Sequence, residues 1–304
     1  MALDAARART GGELAWPPWL RGEGMAGWLL VGPSFAYALL LLAVPVGAIF
    51  VLSFWTQNDL VIDRNFTLAN YREAWANPLY RVLMLRSLWI AGAVTLATVL
   101  LAYPIAYFVS FHGGRRKALW LFLITIPFWT SYLLRVFAWK VILGTGGVLN
   151  SGLLELGVIA QPLPWLLYNS GAVVVTLAHA WAPFAILPIY ASLEKLDRSL
   201  LEAATDLGDG PVQRFLRVTL PLSMPGVIAS ALIVFIPTVG DYVTPRLVGG
   251  KDGVMIANMI QAQFGKGSNW PLGAALSVSA MLIVAAVALV VVLAGRRFGG
   301  RGVA

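Results

Sequence analysis

Two groups of residues in this chain have types and spacing that could do chemistry. The first centres on Asp241 in PTVGDYVTP, with Trp129, Tyr132, Trp139 and Tyr242 as aromatic neighbours. An ionisable side chain in a membrane span is costly and marks a functional position by default. Aromatic faces stabilise ammonium groups by cation–π attraction. An acid flanked by such rings would suit a cationic solute. Other roles stay open. Each ring also fits an interfacial belt or simple packing, and Asp241 could pair with Arg135 or Arg246. The second group is EAATDLGDGPVQRFLRVTLPLSMPG, residues 202–226, the most polar long stretch in the second half of an apolar chain.

The elements that must position these residues follow from composition. The 304 residues are 59% hydrophobic and 12% charged, with a mean hydropathy of +0.78. Soluble domains carry about 25% charged residues, so the chain reads as an all-α membrane protein. About 20 apolar residues cross a bilayer core. Six stretches qualify: 27–54, 87–111, 118–143, 170–191, 224–243 and 271–294. Arg135 and Lys140 interrupt the third, so its lipid-buried part is expected to end near Leu134. Most spans contain proline, which frees backbone groups that a neighbouring helix or a cavity must satisfy.

The net charge of +8 sits on residues flanking the spans, which the positive-inside rule explains without invoking nucleic acid. The bias is clearest in HGGRRK, residues 112–117, and in the tail GRRFGGR. It places both termini, the 112–117 loop and the 192–223 loop in the cytoplasm. Residues 1–26 read as a cytoplasmic lead, 27–294 as the membrane domain and 295–304 as a cytoplasmic tail. The first apolar run is longer than the roughly 7–15 residues of a signal-peptide core, so it reads as a retained span. The outer segments 55–86, 136–169 and 244–270 are longer. The first of them holds TLANYREAW, a short helix expected to be capped by Thr67. These segments read either as a face for an external partner or as plain connecting loops.

Several chemistries are excluded. There is no cysteine, so thiolate chemistry and Cys-based metal sites are absent. Two histidines, His112 and His179, are too few for a metal cluster, and His179 reads as a helix–helix hydrogen-bonding group. No GxxxxGK[ST] occurs. Gly249-Gly250-Lys251 and Gly265-Lys266-Gly267-Ser268 lack the spacing that cradles phosphates, so this chain should not bind or hydrolyse ATP. No H-E-x-x-H or paired-carboxylate site lies within a span, which argues against a membrane enzyme. An ion-coupled secondary transporter should place several acids or broken helices near the midplane. Asp241 alone lies near a span.

The polar stretch reads as an elbow. SLEKLDRSLLEAATDLGDG should continue helically out of the fourth span, with leucines recurring at helical spacing. Gly208 suits the left-handed position after a helix. Gly210-Pro211 turns the chain, and Pro211 suits the first turn of a second, short amphipathic helix, with Val212, Phe215, Leu216 and Val218 on its apolar side. Such a surface fits a groove of another protein or packs on itself as a linker.

Glu202-Ala203-Ala204, three residues, Gly208, nine residues, Val218-Thr219 and Leu220-Pro221 together resemble the EAA loop of ABC-importer permeases. TLANYREAW, PFWTSYLLRVFAWKVIL, LPLSMPGV, LVGGKDGVMIANMIQAQF and NWPLGAALS are similar to permeases of spermidine/putrescine importers, over about residues 30–295. The resemblance implies a type I ABC importer permease fold with six transmembrane helices and a cytoplasmic coupling loop at 194–222. It implies docking of that loop in a separate ATPase, with Glu202, Ala203, Ala204, Asp206, Gly208, Phe215, Leu220 and Pro221 as coupling positions. ATP would be bound by two partner ATPase subunits, with no cofactor in this chain. A second, related permease and an extracytoplasmic solute-binding protein would complete the importer in a bacterial inner membrane. A polyamine is the implied solute. Related permeases carry other small solutes, amino-acid-derived compounds or organic acids among them.

Overall fold

The computed structural model describes residues 23–58, 61–265 and 269–299. Residues 1–22 of the expected 1–26 lead and residues 300–304 of the expected tail lie outside the described residues; residues 23–26 are already helical. Among the described residues, those up to Val51 form one unit and those from Leu52 onward another. The described part of the first unit lies in one apolar helix, α1 (Glu23–Leu52), containing Pro33 and Pro45. Trp28 meets Phe35 edge-on, at 6.2 Å between ring centroids.

The second unit opens with two short antiparallel strands, β1 (Thr56–Asn58) and β2 (Val61–Asp63), in the register Thr56↔Asp63. α2 (Ala69–Ala76) follows. The Thr67 hydroxyl accepts from the Ala69 N–H at 3.1 Å, so the expected cap acts two residues before the helix starts. Asn77 then accepts from the Leu79 N–H and Pro78 occupies the first turn of α3 (Pro78–His112). That helix begins well before the expected residue 87. Its 35 residues extend about 52 Å, against a bilayer core of about 30 Å.

The third expected span is divided. α4 (Lys117–Thr125) gives way to a 3-10 turn at Ile126–Trp129, Thr130 is extended, and α5 (Tyr132–Leu143) resumes. Proline supplies the reason. Pro127 donates no backbone hydrogen bond and disfavours helix at the residue before it. A Gly-rich turn links α5 to α6 (Val148–Glu155). The stretch long and apolar enough to cross a bilayer is Tyr132–Glu155. Arg135 and Lys140 therefore lie inside it, not beyond its end.

α7 (Ser170–Glu194) is capped by Asn169. The helical continuation expected beyond it is broken at residues 195–197. Asp197 accepts from the Ser199 N–H and starts a separate helix, α8 (Arg198–Asp206). A carboxylate offers the backbone this alternative to a continuing helix. α9 (Pro211–Arg214), a π-helical segment at Phe215–Thr219 and α10 (Leu220–Val239) then run on without a break. The expected short helix ending before Leu220-Pro221 is thus the first part of a longer span, Pro211–Val239. Pro221 has no N–H to offer its predecessor turn, and the wider π segment carries the helix past it. A second π segment at Pro245–Gly249, α11 (Ile256–Phe264) and α12 (Trp270–Gly299) complete the chain. Among the described residues six helical stretches can cross a membrane by length and composition.

In the second unit α7 is the central helix, packed on α3 and α10. Its core joins Ile90, Val94, Leu177, Ile189 and Val234 with small residues such as Ala102, Ala106 and Ala185. A second cluster joins α2, α3, α10, α11 and α12 around Leu83, Ile256, Leu272 and Leu276. Lipid gives no hydrophobic drive between helices, so small residues that allow close approach carry the packing. Gly226 shows how close: a β-carbon there would lie 2.5 Å from the Pro188 carbonyl oxygen. One turn further along α10, Ser230 donates to the Ala185 carbonyl at 2.7 Å.

Candidate functional sites: the elbow and the Tyr132–Asp241 pair

α8 ends in a turn that needs glycine. The Asp209 N–H reaches the Ala204 carbonyl at 3.0 Å and the Gly208 N–H reaches Thr205 at 2.9 Å. This is the Schellman pattern, with Gly208 at φ +89°. The next helix starts two residues on, where the Gln213 side chain accepts from the Gly210 N–H at 3.2 Å. Two side-chain contacts brace the corner. Arg217 pairs with Asp209 at 2.8 Å, and Arg214 donates to Thr205 at 2.9 Å. At the entry, the Ser199 backbone N–H holds the Asp197 carboxyl below its ordinary range.

Phe215 anchors the corner to α3. It meets Tyr103 edge-on at 5.5 Å and Tyr107 at 6.4 Å, and Tyr103 hydrogen-bonds Ser223 at 2.8 Å. The candidate coupling positions therefore divide. Glu202, Ala203, Asp206 and Gly208 are exposed; Ala204 is buried; Phe215, Leu220 and Pro221 are half-buried. Leu207 is 88% exposed and Val212 70%, so apolar surface stands uncovered beside Glu202 and Asp206. Those two acids also line a hollow of about 400 Å³ with Tyr107, His112, Arg198 and Arg214. The expected elbow is present, held rigid from within, with an uncovered acidic and apolar rim.

The second site forms where α10 ends. Asp241 follows Gly240, the C-cap of α10. Its Oδ1 accepts from the backbone N–H groups of Val243 (2.8 Å) and Thr244 (3.3 Å), capping the next helical turn. Its Oδ2 accepts from the Tyr132 hydroxyl at 2.5 Å, and that hydroxyl also lies 2.5 Å from Thr244 Oγ1. Neither Arg135 nor Arg246 pairs with Asp241. Arg135 instead donates to the Ala180 carbonyl at 3.2 Å, and its Nε is buried without a partner.

Of the aromatic candidates, the structure joins only Tyr132 to Asp241. Trp139 donates to His179 at 3.2 Å, which makes His179 the expected helix–helix hydrogen-bonding group. Trp129 is 73% exposed and packs on Phe122. Tyr242 lines an apolar groove of about 580 Å³ between α10, α11 and α12. Thr244 escaped the sequence reading, although Asp241 two residues before Val243 carries a capping signal. The Glu194 cluster escaped it too. Glu194 takes Lys117 at 2.7 Å and Ser110 at 3.1 Å, tying the start of α4 and the end of α3 to the end of α7.

Residues 99–301 match the model of the family described as binding-protein-dependent transport system inner membrane component. The chain belongs to this family. It is 39% identical over 255 residues to the spermidine/putrescine transport system permease protein PotB of Escherichia coli, covering 84% of this chain and 92% of that one. It is 37% identical over 262 residues to the PotB protein of Haemophilus influenzae, covering 84% and 90%. Its fold is similar to a bacterial ABC transporter involved in the import of the acidic polysaccharide alginate, with a TM-score of 0.66 and 17% identity over 89% of this chain and 96% of that one. The binding-protein-dependent permease fold is therefore the all-α, six-span architecture expected, in a multi-pass inner-membrane protein. A permease of this family is a transport component and not an enzyme.

Proposed function

We propose that this permease forms half of the solute pathway of an ATP-driven polyamine importer. The observation that carries the reading is the near end-to-end similarity to two spermidine/putrescine permeases. The elbow supplies the point of coupling. It presents Glu202, Asp206, Leu207 and Val212 to a cytoplasmic ATPase subunit, and its internal braces transmit force to α10 and, through Phe215, to α3. The remaining parts are two ATPases that bind the ATP, a second related permease and an extracytoplasmic solute-binding protein. Both termini, the 112–117 loop and the elbow face the cytoplasm. ATP-driven closure of the ATPases draws the elbows together and opens the pathway outward; hydrolysis resets it. Asp241 and Tyr132, with Trp129, Trp139 and Tyr242 as further candidates, contribute a polar contact for an ammonium group. The Asp241 carboxylate has capacity beyond the three hydrogen bonds it accepts, since a carboxylate offers about four acceptor sites.

One observation favours a second reading. Arg135 lies within a span, half-buried, with its Nε buried and unpartnered, and a guanidinium with donors to spare suits a solute that carries a carboxylate. Uptake of labelled spermidine into vesicles holding the whole complex separates the two. The polyamine reading expects competition by putrescine and none by organic acids or neutral amino acids. No spermidine uptake, beside uptake of a labelled carboxylate-bearing compound by the same vesicles, would replace it with the second reading.

A further inference from the structure

The end of the second unit that carries the elbow also carries HGGRRK. His112 ends α3, residues Gly114–Arg116 make one 3-10 turn, and Lys117 opens α4. Lys117 is committed to Glu194. Arg115 and Arg116 are exposed, and among the described residues neither pairs with a carboxylate. Next to this loop an apolar groove of about 440 Å³ opens between α3 and α4. Pro104, Ile105 and Phe108 form one wall, and Trp120, Leu123 and Ile124 the other. Rings lead from the loop into it. His112 stacks on Phe108 with centroids 6.0 Å apart, and Trp120 meets Phe108 edge-on at 5.7 Å. Trp120 lies four residues beyond Arg116, about one helical turn.

We infer that this groove is a binding site for an anionic phospholipid of the elbow-side leaflet. One acyl chain lies along Ile105, Phe108, Leu123 and Ile124. Trp120 sits at headgroup depth, where tryptophan is favoured. The phosphate, whose negative charge no headgroup cation offsets, is met by Arg115 and Arg116. The unpaired arginines point to an anionic occupant. An apolar helix in the groove would leave both without partners, and the choline of a zwitterionic lipid would cancel much of the attraction. The Lys117–Glu194–Ser110 contacts hold the loop in place, so the cations are presented from a fixed mount. The inference needs only the membrane-spanning architecture and does not depend on which solute is carried.

The test is native mass spectrometry of the purified transport complex after exchange into nanodiscs of equal phosphatidylglycerol and phosphatidylcholine. The wild-type complex should retain phosphatidylglycerol preferentially. Each basic residue near an anionic surface is worth about fivefold in binding, so Arg115→Gln with Arg116→Gln should reduce the preference by about 30-fold. Arg115→Lys with Arg116→Lys should keep it, showing that charge is what matters. Leu123→Trp fills the groove and should release lipid of either headgroup. A photo-reactive side chain at position 123 should label lipid. Equal retention of both lipids by the wild type, an unchanged preference in the double glutamine variant, or labelling of a second polypeptide would each overturn the inference.

Discussion

Glu202→Lys is expected to abolish coupled uptake while the chain still inserts and assembles its core. Glu202 is exposed on α8 and its side chain makes no hydrogen bond or ion pair within the described residues, so its replacement removes no side-chain contact that holds the second unit together. Its proposed partner lies on the ATPase. Leaving a docked charge facing its like costs about 2–5 kcal/mol at an interface, or at least about thirtyfold in docking. Gly208→Val reaches the same outcome by another route. Gly208 sits at φ +89°, where a β-branched residue costs on the order of 1–3 kcal/mol. A valine would open the Schellman turn and misdirect Leu207 and Val212. Gly208→Asn is the control, because asparagine tolerates the left-handed region, and it should keep most of the uptake. Vesicle uptake and ATP hydrolysis measured on the same preparations check all three. Normal coupled uptake in both Glu202→Lys and Gly208→Val would remove the elbow from the mechanism.

Asp241→Asn is the second variant with a large expected effect. Asp241 has two jobs that can be separated. Oδ1 caps the turn at Val243 and Thr244, and Oδ2 receives Tyr132. Asparagine keeps an oxygen for the cap but loses the charge. Alanine loses both, adding about 1 kcal/mol for the missing cap. If Asp241 contacts the ammonium group, Asp241→Asn should raise the KM for a polyamine by about tenfold or more, the scale of one charge-assisted hydrogen bond. Expression and thermal stability should stay near wild type. Near-normal kinetics in Asp241→Asn beside a destabilised Asp241→Ala would leave Asp241 as a capping residue only.

How much of this was legible in the sequence depends on the range of the interaction. The elbow was legible because its geometry is local. Gly208 and Gly210-Pro211 each fix a turn or a helix start within a few residues. The spans ending at Glu194 and starting at Trp270 were legible from length and hydropathy alone. The break at residues 126–131 was hidden because apolar residues run on through Pro127-Phe128-Trp129, so composition gave no boundary where backbone chemistry imposed one. The continuity through Leu220-Pro221 was hidden for the opposite reason. Proline argued for an interruption that a π segment absorbs. The Tyr132–Asp241 contact joins residues 109 apart. Nothing in local pattern singles out Tyr132 over Trp129 or Trp139, and only the packing of α5 beside the end of α10 makes the choice.

We propose that this permease draws its energy from a separate ATPase through the elbow in response to a polyamine. Solute-stimulated ATP hydrolysis by the reconstituted complex reads out that coupling. The complex comprises this chain, its partner permease, the ATPase subunits and the solute-binding protein. Spermidine or putrescine, presented on the binding protein, should raise hydrolysis in the wild-type complex and leave it at the basal rate in Glu202→Lys. Hydrolysis indifferent to every polyamine would rule out the polyamine as the coupled solute, and equal stimulation in Glu202→Lys would rule out coupling through Glu202.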